Sequence, residues 1–251
     1  MAAEPGIGAR GRVVNSECVR KVARKAIPFG GGSALALVTQ TKVDLLTVEY
    51  RDMHNAYHGA VFLLPKTGAD SAQAAFGSIS TAEEVEQPTP TCGGGQVHSS
   101  TLKIMTITSE GVLVPAEYKV LLYEQLVRRL TDEAGYEHII RDGDTSSAAA
   151  CPELNLSITL EAFNKGNAVF RASSGLLGMF VGTTSLKFHM TLQDASGQNV
   201  IDKELKKSER GDSENLDVAD DIAKNVPGTL KKQRKEDAKA RTTAGAKRPM
   251  D

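Results

Sequence analysis

With 251 residues, 40% of them hydrophobic, the chain can form one sizeable domain with appendages or two small ones, and it has no uninterrupted apolar run of about 20 residues to span a bilayer as a helix. Aromatic residues make up only 5%, with no Trp, which argues against exposed stacking platforms for nucleic acid or sugar. The net charge of -1 is uneven: residues 1–25 carry six Lys/Arg against two Glu and residues 231–251 carry eight against three acids, so ends of +4 and +5 flank a body of -10, a poor match to a surface that grips phosphates.

Residues 1–42 read as an irregular, basic leader. "GIGARG", residues 6–11, matches GxGxxG to the letter, but that motif works only where a strand feeds the loop, and here only "MAAEP" precedes it. The run "RKVARKAIPFGGGSALALVTQ" has the outline of a signal peptide, with a basic start at Arg20 to Lys25 and small residues at Ala34-Leu35-Ala36. Pro28 and three consecutive glycines interrupt its apolar part, and no small apolar run precedes Cys18 as a lipobox would. Residues 43–65, "VDLLTVEY" then "GAVFLLP", predict one or two strands. Between these pieces "HNAYH" sets His54 and His58 four apart, the spacing of two metal ligands on a helix. Asn55 stands where a zinc protease needs Glu and the flanks read as strand, so no metal site is expected there. Residues 66–95 turn to Ala, Ser, Thr, Gly and Pro, and are read as a linker that closes a first region, residues 1–95. Cys18, Cys92 and Cys151 are an odd count at wide spacing, which indicates neither a zinc site nor a disulfide framework; a bridge from Cys92 to Cys151 would need an oxidising compartment.

Residues 96–230 form the patterned domain. "TLKIMTI" predicts a strand. "PAEYKVLLYEQLVRRLTDEAG" predicts a helix: Val120, Tyr123, Val127, Leu130 and Ala134 recur at three and four, Pro115 suits a first turn, and Gly135 supplies the stop. "YEHIIRDGD" is a short strand running into a turn. In "ELNLSITLEAF", Leu154, Leu156, Ile158, Leu160 and Ala162 alternate with polar residues, as in a sheet covered on one side. "SLKFHMTLQDASGQNVIDKEL" repeats the pattern, with Leu186, Phe188, Met190 and Leu192 inward and a hairpin closed by Asp194 to Gly197. Leu216, Ala219, Ile222, Ala223 and Val226 form the stripe of a last helix behind the acidic start "DSENLD", and Pro227-Gly228 should end or kink it. The order of elements predicts an α+β fold, an antiparallel sheet of about four to five strands with two helices packed on one face. Residues 231–251 are read as a disordered basic tail.

Candidate chemistry is thin. "RDGD" groups Asp142 and Asp144 around a glycine, but "TSSAAAC" does not supply the further ligands of a calcium loop, so a plain turn is expected. His98, His138 and His189 stand alone, His189 on the polar face of its strand as a solvated residue. No nucleophile elbow, paired Cys and His or phosphate-binding loop is present, so neither catalytic residues nor a cofactor is expected. An enzyme becomes credible only if the fold gathers His138, Asp142, Asp144 or Glu161 into one pocket. The tail "KKQRKEDAKARTTAGAKRP" raises a nucleic-acid reading, against which stands the acidic body. In "SSGLLGMFVGTT" the small residues Ser174, Gly178 and Gly182 fall four apart beside Gly175, and the apolar part is about half a bilayer crossing. The segment reads either as a connector lying flat on its neighbours or as an interaction surface.

The runs "VPAEYKVLLYEQLVRRLTDEAGY", "IIRDGD", "LNLSITLEAFNKGNAVFRASSGLLGMFVGTTSLKFHMTLQDASGQNVIDKEL" and "SENLDVADDIAKNV" together resemble a bacterial family catalogued as domain of unknown function 4410, over about residues 97–230. The resemblance implies a small exported protein of the cell envelope or periplasm, often a lipoprotein, with no established activity and so no functional residues to carry over. The chain departs from that pattern in lacking a clean signal and lipobox, in its long N-terminal region and in Pro227. The function expected is a non-enzymatic, envelope-associated module that binds an envelope protein or itself; the alternative is a cytoplasmic nucleic-acid accessory protein using its basic tail.

Overall fold

The computed structural model describes residues 10–23, 38–65, 68, 97–146, 151–164, 184–209 and 217–245. Strands β1 (Arg10–Ala23), β2 (Val38–Arg51) and β3 (Tyr57–Pro65) form an antiparallel sheet in the order β1-β2-β3. A second sheet of six strands holds β4 (His98–Ile104), β5 (Thr108–Ser109), β6 (His138–Arg141), β7 (Pro152–Asn164), β8 (Thr184–Asp194) and β9 (Asn199–Glu209), in the order β6-β4-β7-β8-β9 with β5 beside β7. The described residues contribute two helices, α1 (Ala116–Glu133) and α2 (Asp217–Gly245).

The fold is α+β, but the main sheet is larger than expected and mixed. β7, β8 and β9 are antiparallel, whereas β4 runs parallel to both β6 and β7, and β5 parallel to β7. The reason lies in the connection. An 18-residue helix between β4 and β6 carries the chain back along the sheet, so the second strand starts at the same end as the first. The antiparallel half follows the alternation closely: Leu156, Ile158, Leu160, Leu186, Phe188, Met190, Leu192 and Ile201 are all buried on one face. One expected inward residue is not. A bulge between Leu160 and Ala162 inserts a residue into β7, so Ala162 is exposed and Phe163 takes the inward place, against Tyr118.

Helix α1 starts and stops as its sequence predicts, with Pro115 at its N-cap and Gly135 at φ +73° just beyond its end. Tyr118, Leu122, Tyr123, Leu126 and Leu130 point into the core shared with the sheet, each large apolar side chain contributing about 1.5–3 kcal/mol. Val120 faces elsewhere. It is fully buried against β3, where a Cβ on Gly59 would come within 2.5 Å of its Cγ1, so only glycine allows strand and helix to approach this closely. Helix α1 therefore lies between the six-stranded sheet and the β2–β3 hairpin.

Residues 10–23 and 38–42, expected to be irregular, are strand. β1 and β2 pair residue for residue from Arg10↔Arg51 to Ala23↔Val38, and such pairing rests on main-chain groups that a side-chain pattern does not report. Helix α2 corrects two further expectations. Pro227 lies inside it, buried, and does not end it. The stripe Val218, Ala219, Ile222, Ala223, Val226 and Leu230 is buried on both sides of that proline, and this packing offsets the roughly 3 kcal/mol that an interior proline costs. Residues 231–245, read as a disordered tail, continue the same helix. Arg234 anchors its extension by donating to the carbonyl of Gly135 (2.7 Å) while its guanidinium lies 4.8 Å from the Tyr136 ring centroid. Arg129 on α1 pairs with Asp220 on α2 at 2.7 Å.

The close approach at Gly59 sets a test. Gly59→Ala should destabilise the protein by about 1–3 kcal/mol in chemical denaturation, and adding Val120→Ala should recover part of that loss by restoring space.

Candidate functional site at the hairpin junction

Two turns meet beside α1: residues 51–57, between β2 and β3, and residues 141–146, after β6. The first is built by Asp52. Its Oδ1 accepts the amides of His54 and Ala56, both at 2.9 Å, and its Oδ2 lies 3.2 Å from Nε2 of His58. Burial pushes the Asp52 carboxyl up, but the hydrogen bonds from Ala56, His58 and His54 outweigh it and hold it below the usual carboxylate range. Asn55 takes φ 62°, which this short polar side chain tolerates.

The second turn presents its backbone to the first. The carbonyl of Asp142 accepts the Tyr57 amide (2.9 Å) and Nη1 of Arg51 (3.2 Å); the carbonyl of Gly143 accepts Nδ2 of Asn55 (3.1 Å); and the carbonyl of His54 accepts both the amide and the hydroxyl of Thr145. Gly143, at φ +76°, sits under the Arg51 guanidinium, where a Cβ would come within 1.9 Å of Nη1. The Asp142 carboxylate accepts the Thr106 hydroxyl and lies 3.8 Å from Nη2 of Arg51.

Glu124 and Arg141 join this junction to the helix. The guanidinium of Arg141 donates from Nη1 and Nη2 to the two oxygens of Glu124, each at 2.8 Å, a bidentate pair. Nη1 also donates to the carbonyl of Tyr57 (3.0 Å), and Oε1 of Glu124 accepts the Gly59 amide (2.8 Å). Beneath them the Tyr57 and Tyr123 rings meet edge to face, 4.8 Å between centroids, and the Tyr123 hydroxyl accepts the Asp142 amide (2.9 Å). Burial pushes both phenols well above their ordinary range.

The residues singled out in the sequence divide accordingly. His54, His58, Asp142 and Asp144 come to this one junction, where Asp144 caps its own turn by accepting the Ser146 amide (2.8 Å). His54 and His58 lie on a turn and a strand, so their spacing does not align them, and His58 stacks on Tyr50. His138 is exposed at the start of β6, and Glu161 lies at the bulge of β7, so the four residues that would make an enzyme credible are not gathered. "RDGD" is a turn, but one that holds a hairpin. His189 departs from a solvated reading: its Nε2 is 2.8 Å from Asp202 and its Nδ1 3.6 Å from Glu161, while Lys187 bridges Glu161 and Glu204. Among the described residues no three His, Cys, Asp or Glu side chains are arranged to hold a metal ion. No described helix is long and apolar enough to cross a membrane. Cys151 is buried. Cys92, the segment with Ser174, Gly175, Gly178 and Gly182, the motif residues 6–9 and the small residues at 34–36 lie outside the described residues. The residues missed in the sequence are Glu124, Arg141 and Arg51; their one signal is a charge set directly beside an apolar stripe or at the end of an apolar strand.

Every carboxylate of the junction is engaged by donors of the chain itself, so the arrangement fixes a position. It seats the hairpin on α1. Among solved structures the chain is similar to a Xanthomonas campestris protein described by the family model DUF330, at 11% identity over 55% of this chain and 88% of that one, with a TM-score of 0.41. It is also similar to the PelC dodecamer of Paraburkholderia phytofirmans, at 14% identity over 54% of this chain and 90% of that one (TM-score 0.38), and to a variant PelC dodecamer at 15% identity over 55% and 93% (TM-score 0.36). No family model and no curated protein matches the chain, so the resemblance to domain of unknown function 4410 is not carried forward as membership.

Two outcomes follow from the junction. Glu124→Gln leaves the half-buried Arg141 without its counter-charge and should cost about 2–4 kcal/mol, with faster amide exchange at Gly59 read by hydrogen–deuterium exchange. Asp52 contributes stability that is present above the unfolded value near 4 and lost as pH falls through its lower folded value, so the stability gap between the native protein and Asp52→Asn, measured by denaturation, should narrow below about pH 4.

Proposed function

We propose that the protein is a non-enzymatic, envelope-associated interaction module that binds another envelope protein or itself. The observation that carries this reading is where its apolar surface lies. Tyr50, Met53, Phe62 and Leu63 are 38%, 79%, 48% and 52% exposed, and all four stand on the β2–β3 hairpin; Val97 and Leu113 are the other exposed large apolar residues among those described. The network holds the hairpin on α1, and it leaves Tyr50 and Phe62 exposed on the face turned away from Gly59, with Met53 on the turn; aromatic and Met side chains exposed on one element suit a protein partner. Envelope association rests on the resemblance over residues 97–230.

The experiment is fractionation of the native cell, with the mass of the native complex and of the mature N-terminus determined together. An envelope-fraction assembly larger than the monomer, reduced in size by Met53→Lys with Tyr50→Lys, is the result expected. A protein found as a cytosolic monomer would overturn the reading.

A further inference from the structure

β3 is an outer strand, paired on one side by β2. Along its other side the outward main-chain groups belong to the odd-numbered residues, since Tyr57 and Gly59 direct theirs to Asp142, Arg141 and Glu124. The junction therefore covers the edge from Tyr57 to Gly59. Beyond it the alternation turns the N–H and C=O groups of Val61 and Leu63 outward, and among the described residues neither has a main-chain partner on that side. This open portion also carries the half-exposed Phe62 and Leu63, and no residue of β3 is an Asp, Glu, Lys or Arg. Natural edge strands are commonly protected by such charges.

We propose that this edge pairs with the same edge of a second copy, antiparallel across a two-fold axis through Phe62. The proposal rests on the self-association branch of the reading above and names its contact. Three constraints select the register. Outward groups must face outward groups, so odd-numbered residues lie opposite odd-numbered ones, and Val61 opposite Leu63 of the second copy is the register that uses both fully, each pair exchanging two hydrogen bonds. Phe62 then faces its own counterpart as a non-hydrogen-bonded pair, the closer kind, in which aromatic rings meet. Gly59 comes opposite Pro65 of the second copy, where pairing stops: the Gly59 amide is already given to Glu124, and Pro65 has no N–H. A charged peptide edge would find no counter-charge on this strand, whereas a second copy brings the same uncharged, half-exposed residues and is complementary by construction.

The test is sedimentation velocity of the full chain over a concentration series. The native protein should shift from monomer toward dimer. Val61→Pro, which removes only an outward N–H, and Phe62→Lys, which sets two ammonium groups face to face, should each weaken the dimer about tenfold or more while leaving the thermal unfolding midpoint within a few degrees. Phe62→Lys alone serves if Val61→Pro does not fold. Under oxidising conditions Phe62→Cys should give a dimer cross-linked at residue 62, located by mass spectrometry, because the register brings the two Cβ atoms within about 4.5–5.5 Å. A monomer at every concentration with no cross-link at residue 62 would overturn the edge pairing. An oligomer indifferent to Phe62→Lys would also overturn it, yet leave the interaction reading standing, since that reading is decided separately by the mass and location of the native complex.

Discussion

The bidentate pair between Glu124 and Arg141 is the contact on which the arrangement of the two sheets depends. Arg141 ends β6 with its side chain on the helix side of the large sheet, where a guanidinium among apolar residues needs a counter-charge. Glu124 supplies it from α1. The two then spend their remaining hydrogen-bonding capacity on the same target, the outer edge of β3, through the Tyr57 carbonyl and the Gly59 amide. One ion pair thus joins the helix, the large sheet and the small sheet.

Much else follows from that position. Because Glu124 reaches the Gly59 amide directly, strand and helix lie too close for a side chain at 59, and Val120 fills the space. Because Arg141 is held, the turn after it is held, and Asp142 and Gly143 present their carbonyls to Tyr57, Arg51 and Asn55. The same pair reaches β3 only at its turn end, and among the described residues none takes the outward main-chain groups of Val61 and Leu63.

The open face of the large sheet is organised differently. Lys187 lies between Glu161 and Glu204 and His189 between Glu161 and Asp202, so polar contacts run across β7, β8 and β9. Lys187 has an oppositely charged neighbour on each flanking strand, a favourable cross-strand arrangement, and the face is wet. Apolar surface is concentrated on the hairpin instead.

Local pattern made α1, the alternation of β7 and β8, the Asp194 to Gly197 hairpin and the start of α2 legible, because each is dictated within a dozen residues by burial period, capping or turn chemistry. What the chain brings together over long separations was not. β1 and the first part of β2 show no clean alternation and are defined by pairing with each other; the bulge that turns Ala162 outward depends on the partner strand; and Pro227 stays inside a helix because tertiary packing outweighs a local rule. His54, His58, Asp142 and Asp144 stood out in the sequence for chemistry at fixed spacings, yet two turns about 90 residues apart had to meet before their role as a clamp existed. The sequence by itself determined an α+β domain with apolar stripes that must be buried. Only the tertiary structure decided that Glu124 and Arg141, set beside those stripes, would meet and hold the edge of β3 at Tyr57 and Gly59, since an ion pair between distant residues has no local signature.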